Sequence, residues 1–252
     1  MKKVGIVGGV AWLSTVDYYS EICRRSEQWH HIRNRQGLPS TPLSTPEMSI
    51  ESLDLHQAVS YLGVDGDEES WSQFDNYHRA ALQRLEGSGV DFALMASNTP
   101  HHRFASIVHG IQIPVVSILE VTAKESARIG ANEVLLLGTE ITMRSPIFRA
   151  EFAKQGVQAA GPDDDEVRAI TVELIAELQL GKRAGAAATL GRVAKHSFER
   201  QFQGRPVVCL ACTELPLAFP EHRMLTTFED DGVTYINSTA VHIEAAFHLA
   251  VA

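Results

Sequence analysis

From residue 4 to residue 250 the chain alternates short apolar, often β-branched runs with stretches whose apolar positions recur three and four apart. A short apolar run suits a strand buried on both faces, and the spaced pattern suits one face of a helix. Their regular succession predicts an α/β protein built on mainly parallel sheets, because a helix between two strands returns the chain in the same direction. Strands are expected at 4–7, at 48–53 (a weaker pattern), 92–96, 114–118, 133–137, 157–160, 206–211 and 234–236. Helices are expected at 15–29, 70–85, 119–129, 146–155, 166–180, 185–203 and 239–250. A chain of 252 residues, 44% of them hydrophobic, can fill one large core or two smaller ones.

Two strand-to-helix passages resemble each other. "GVDFALMASNTPHH" ends an apolar run in Ser97 followed by Asn98 and Thr99, and "RPVVCLACTELPL" ends one in Cys212 followed by Thr213 and Glu214. Their separation of about half the chain is what two related lobes would give, each a mainly parallel sheet flanked by helices that presents its nucleophile at the carboxyl end of a strand, where open α/β sheets bind ligands. The lobe boundaries are read as 1–113 plus 234–252 for the first and 114–233 for the second. A third strand end, "GIVGGVAWLSTVDYY", has paired glycines that let the amides of Gly9 and Val10 approach a ligand, with Ser14 or Thr15 capping the next helix. Segments 34–45 and 63–69 read as loops, and the first is long enough to serve as a lid.

A formal charge of −9 argues against nucleic acid or an anionic membrane as partner, since both need dense Lys/Arg surfaces. No apolar stretch approaches the ~20 residues of a membrane span, and MKKVGIVGG reads as a first strand rather than a signal peptide. A cytoplasmic location and a small-molecule substrate are expected. Cys209 and Cys212 form a CxxC pair, but it closes a strand and has no second pair or histidine at zinc spacing, so neither a redox role nor a metal site is expected.

At a strand end beside a helix amino terminus, Cys212 would meet fixed positive charge that lowers its pKa and favours a thiolate able to act as base or nucleophile. The alternative is a small apolar residue that merely finishes a core strand. Ser97 reads either as a helix-capping serine or as a nucleophile with His101 or His102 as base. The nucleophile elbow, the dinucleotide fingerprint and the Walker lysine are all missing.

Four stretches in order, KVGIVGG…STVDYY, SNTPHH, LLGTEITM and CTELPL, resemble the aspartate/glutamate racemase family, the cofactor-independent amino-acid racemases, over essentially the whole chain. The resemblance implies two pseudo-symmetric α/β lobes with the active site in the cleft between them, assembly as a homodimer, no cofactor, and two cysteines on opposite faces of the substrate α-carbon. One takes the α-proton and the other returns a proton. On this reading Cys212 and Ser97 are catalytic, and Gly9, Val10, Asn98, Thr99, Thr139, Thr142 and Thr213 line the substrate, a small carboxylate-bearing amino acid such as aspartate or glutamate. His101 and Glu214 then tune or relay protons, or else serve as helix-end capping partners.

Two departures shape the expected activity. The family's first cysteine is Ser97 here, and a hydroxyl is a far poorer base than a thiol. Slow or one-sided proton exchange is therefore expected; the alternatives are a one-cysteine reaction of the same superfamily, as in arylmalonate decarboxylases or the maleate isomerases, or a binding protein without turnover. Some relatives carry a basic residue for the substrate's second carboxylate where this chain has Gln179, leaving Arg103 and Arg144 as substitutes. Elsewhere, Trp12, Tyr18 and Tyr19 are expected to pack into the first lobe, with a place in a loop bordering the ligand as the alternative for Trp12, and residues 163–166 are expected to open a helix.

Overall fold

A computed structural model describes residues 1–39, 41 and 45–252. The chain divides into two compact units: 1–96, 103–116 and 243–252 form the first, and 97–102 with 117–242 form the second.

In the first unit, β1 (Val4–Gly8), β2 (Met48–Ser52), β3 (Phe92–Met95) and β4 (Val115–Val116) form a wholly parallel sheet in the order β2-β1-β3-β4. Its helices are α1 (Trp12–Arg35), α2 (Leu55–Ser60), α3 (Ser72–Gly87) and α4 (Phe104–Val108), joined by the last turns of α10 (Ser238–Val251). Alternate residues of a strand point to one face, so Val4 and Ile6 align with Phe92 and Leu94 and pack on Tyr18 and Ile22 of α1 and on Ile243, Ala246 and Ala250 of α10. Helical spacing decides the fate of the aromatics at the start of α1. Tyr18 faces the core at 0% exposure, whereas Trp12 and Tyr19, seven residues apart on the other side, are 66% and 48% exposed. Both depart from the expectation of packing.

The second unit holds β5 (Glu133–Gly138), β6 (Gln158–Ala160), β7 (Val207–Ala211), β8 (Thr227–Asp230) and β9 (Val233–Asn237) in the order β6-β5-β7-β9-β8. All pairs are parallel except the edge pair β8 and β9. Its helices are α5 (Ile118–Arg128), α6 (Glu140–Arg144), α7 (Pro146–Ala153), α8 (Asp165–Gln179) and α9 (Ala186–Gln201), with the start of α10. One face of the sheet, Val134, Leu136, Val207, Cys209 and Ile236, packs against Phe148, Phe152, Leu119 and Ala123. Each buried phenylalanine there contributes on the order of 2–3 kcal/mol.

Strands β1 to β4 and strands β5, β6, β7 and β9 follow one scheme, 2-1-3-4, so β3 and β7 hold the same place in their sheets. The pseudo-symmetry is thus in the topology. One expected boundary shifts: β9 pairs in register with β7, Val207 opposite Thr234, so residues 234–242 belong to the second unit and only 243–252 to the first. Residues 97–102, which follow β3, also group with the second unit. Of the expected lid, Asn34 and Arg35 finish α1, and residues 40 and 42–44 lie outside the described residues.

Candidate active site

In a 2-1-3-4 sheet the chain reverses its direction of winding between the first and third strands, and ligands bind at the carboxyl ends there. The polar clusters singled out above occupy those ends. In the second sheet, Gly138 ends β5 and Thr139 follows it, and Cys212 follows β7. A Cβ on Gly138 would stand 2.6 Å from the Ala211 carbonyl oxygen, so glycine is needed for the two strand ends to approach.

Cys212 lies at the last turn before the short 3-10 segment Leu215–Ala218 and is 6% exposed. Its Sγ donates to Glu214 Oε2 at 3.0 Å, and the Thr213 hydroxyl donates to the same oxygen at 3.1 Å. Glu214 Oε1 accepts from Gln179 Nε2 at 3.3 Å. The carboxylate is 5% exposed. Burial first, and then the negative charge of Glu214, push the Cys212 thiol well above its ordinary value. This corrects the expectation of a lowered pKa. A four-residue 3-10 turn supplies little dipole, and the charge that counts is negative. Cys212 thus carries its proton and presents it on a carboxylate, an arrangement suited to an acid that delivers a proton to carbon. Cys209, three residues earlier, sits inside the β7 core, with burial raising it to about 12. It is a core thiol.

A second cluster joins residues 97–102 to the ends of β5 and β9. Thr99 Oγ1 lies 3.2 Å from Thr139 Oγ1, which lies 3.0 Å from Thr142 Oγ1 and caps α6 by accepting from the Thr142 amide at 3.3 Å. Asn98 Nδ2 donates to Ser238 Oγ at 3.1 Å, and Ser238 donates in turn to the Leu210 carbonyl of β7 at 2.7 Å. His102 Nδ1 lies 2.9 Å from Ser145 Oγ, the cap of α7. Ser97 is half-buried, and its carbonyl accepts from His101 Nδ1 at 2.9 Å.

His101 is fully buried, and its Nε2 accepts from the Ile118 amide at 3.2 Å. An acceptor at Nε2 fixes the proton on Nδ1, so both ring nitrogens hold backbone groups. His101 thus ties the 97–102 turn to the start of α5. Arg103 and Arg144 are also engaged. Arg103 bonds Asp75 at 2.8 Å and Glu68 at 2.8 Å beneath Trp71, and Arg144 bonds Glu140 as well as Asp165 at 2.9 Å.

In the first unit, Gly9 has φ +89°, and a Cβ there would run into the Leu53 carbonyl. Its amide donates to Thr15 Oγ1 at 2.9 Å, so the turn is closed from within rather than by a ligand. Ser14 does not cap α1 either; its hydroxyl, with one proton to give, lies 2.7 and 2.9 Å from the Ala11 and Ala96 carbonyls. Val10 is half-buried beside Gly9.

The residues 7–246 match the family described as Asp/Glu/Hydantoin racemase. The chain belongs to that family. The broad specificity amino-acid racemase RacX of Bacillus subtilis (strain 168) is 28% identical over 215 residues, 84% of this chain and 85% of that protein. An aspartate racemase homologue from Pyrococcus horikoshii OT3 is 26% identical with a TM-score of 0.74, each chain covered completely. The Picrophilus torridus aspartate racemase shares the fold, at 20% identity and a TM-score of 0.72 over 100% of this chain and 95% of that one. These findings support a racemase-family enzyme with an amino-acid racemase-like function.

Within this Asp/Glu/hydantoin racemase family chain, the structure groups Asn98, Thr99, Thr139, Thr142, Cys212, Thr213 and Glu214 in the second unit together with Ser97. Sequence reading passed over Ser238 and its neighbour Asn237. The stretch "YINST" carried the same sign as the other two, polar residues closing an apolar run. Asn237 Oδ1 accepts from the amides of Thr239 and Ala240 at 3.1 and 3.2 Å and so caps α10.

Proposed function

We propose that the chain is an amino-acid racemase-like isomerase of aspartate/glutamate type that exchanges the α-proton of a small carboxylate-bearing amino acid without a cofactor, Cys212 being the principal proton carrier. The observation that carries this reading is the buried thiol of Cys212 held on the Glu214 carboxylate at 3.0 Å, at the end of the strand that corresponds to the one preceding Ser97. The α-proton of an amino acid is very weakly acidic, so a hydrogen-bonding pocket must stabilise the carbanion-like state. The hydroxyls of Thr99, Thr139, Thr142 and Thr213 and the amide of Asn98 supply donors suited to an α-carboxylate. Ser97 serves the opposite face of the α-carbon, and a hydroxyl is a far poorer base than the Cys212 thiolate that forms when Glu214 takes the thiol proton, so exchange is fast on the Cys212 side and slow on the other. The exposed Trp12, Val16 and Tyr19 of α1 offer apolar surface for a homodimer interface. A cytoplasmic site of action completes the reading.

The test incubates the protein in deuterium oxide with each enantiomer of aspartate, glutamate and a panel of neutral amino acids, following the α-proton by NMR and chirality by chromatography. The expected result is loss of the α-proton signal from one enantiomer well ahead of inversion. Absence of exchange with every amino acid, or full exchange by C212S, would overturn the proposal. S97C is expected to raise the inversion rate by about tenfold or more, since a thiol replaces a much weaker acid-base group.

The proton-loaded state of Cys212 favours a second reading, decarboxylation of a malonate-type diacid with the thiol protonating the resulting carbanion. Release of carbon dioxide from an α-substituted malonate, together with no exchange on amino acids, would select it.

A further inference from the structure

Gln179 is the last residue of α8, whose buried face, Leu174, Ile175 and Leu178, anchors it beside the Leu215–Ala218 turn. Its side chain is largely exposed, yet its amide reaches inward to the buried Glu214 carboxylate. That carboxylate therefore accepts from Gln179 on Oε1 and from Cys212 and Thr213 on Oε2. All three side-chain donors are neutral. A cation at position 179 would offset the charge of Glu214 and relieve the thiol, whereas an amide fixes the carboxylate in place and leaves its charge intact.

We infer that Gln179 is a positioning residue: its amide clamps Glu214 against the Cys212 thiol without cancelling the carboxylate charge, and so keeps residue 212 loaded with a proton. The inference rests on the proposed role of Cys212 as proton carrier. Gln179 bonds Glu214, and it acts on the thiol through that carboxylate. A neutral residue at this place keeps Cys212 in the protonated form that can deliver a proton and keeps the thiolate, the form that takes one, scarce until Glu214 accepts the thiol proton. The consequence is a bias in the direction of proton transfer rather than a loss of binding.

The charge at position 179 provides the test. Q179K, Q179E and the length-matched Q179M are compared with the unaltered protein by the rate of Cys212 alkylation with iodoacetamide at fixed pH, read on the peptide that contains Cys212. Because position 179 is exposed, each variant is expected to keep the wild-type circular dichroism and melting temperature. An opposite charge at this range moves a pKa by about one unit or more, so Q179K is expected to alkylate about tenfold faster and Q179E about tenfold slower. Q179M, which keeps the net charge and loses the clamp, is expected to stay within about threefold in alkylation while its α-proton exchange slows severalfold. Equal alkylation rates for the lysine, glutamate and methionine variants would overturn the inference, even if exchange by the unaltered protein is robust and depends on Cys212. If instead no amino acid exchanges but the alkylation rates fall in the order Lys, Gln, Glu, the charge coupling stands and the proposed reaction is the part that fails.

Discussion

Cys212 shows how far a residue's chemistry depends on its immediate neighbours. The thiol was legible in the sequence because polar residues follow it at a strand end, but its protonation was not. Glu214, two residues on, folds back over it, and the segment that follows is a 3-10 turn too short to act as a helix dipole. Removing the charge in E214Q should let the thiol fall toward its ordinary value, raising the Cys212 alkylation rate at neutral pH by about tenfold. The same variant should slow α-proton exchange by about a hundredfold, because the carboxylate is the acceptor that the thiol faces. His101 illustrates the opposite outcome. Its position beside Ser97 suggested a base, and only the Ile118 amide, 17 residues away, reveals that its second nitrogen is occupied. At Gly9 the constraint is steric and conformational together, and G9A is expected to lower stability by about 3 kcal/mol or more, measured by urea unfolding.

At the scale of elements, the long apolar runs were readable, and the central strands fall within a residue or two of where the pattern placed them. Elements without a strong period were missed. Strand β8, "TFED", alternates only over four residues at a sheet edge, and α2, α4 and α6 are five or six residues long and held by their surroundings. Two elements carry measurable predictions. In α3, His78 is buried with Nδ1 on the Phe74 carbonyl at 2.9 Å and Nε2 unpartnered, and burial lowers its pKa below 6.5. The unfolded chain therefore binds a proton in the range between the lowered folded value and 6.5 that the folded chain does not. Stability is complete above that range and is lost as pH falls through it. H78F, which keeps the packing against Phe74, is expected to flatten this dependence in urea melts at pH values on either side of it. At the start of α10, N237A removes the cap and the bond to the Arg223 carbonyl at 2.7 Å. It should cost about 2 kcal/mol, a Tm decrease of about 4–8 °C by calorimetry.

For the whole molecule, neither unit is a continuous piece of chain. The first unit draws Ile243, Ala246 and Ala250 from the far end of the sequence into the core under β1 and β3. Deleting 243–252 is expected to expose Val4, Ile6 and Leu94 and to collapse hydrogen-exchange protection in β1 and β3, with β5 and β7 remaining protected. Alternating runs and spaced apolar positions were enough to establish the α/β class, and the repeated strand-end motif pointed to two lobes, because periodicity and the right-handed return of a strand-helix-strand unit are local properties. The amino-acid order alone also placed Ser97, Thr139 and Cys212 at strand ends. What it misplaced or left undecided depends on residues distant in the chain: β9, assigned to the first lobe, pairs with β7, Asn98 holds Ser238, and Gln179 reaches Glu214. Those pairings form only when separate elements pack, and they determine which side chains hold protons and which merely hold the fold.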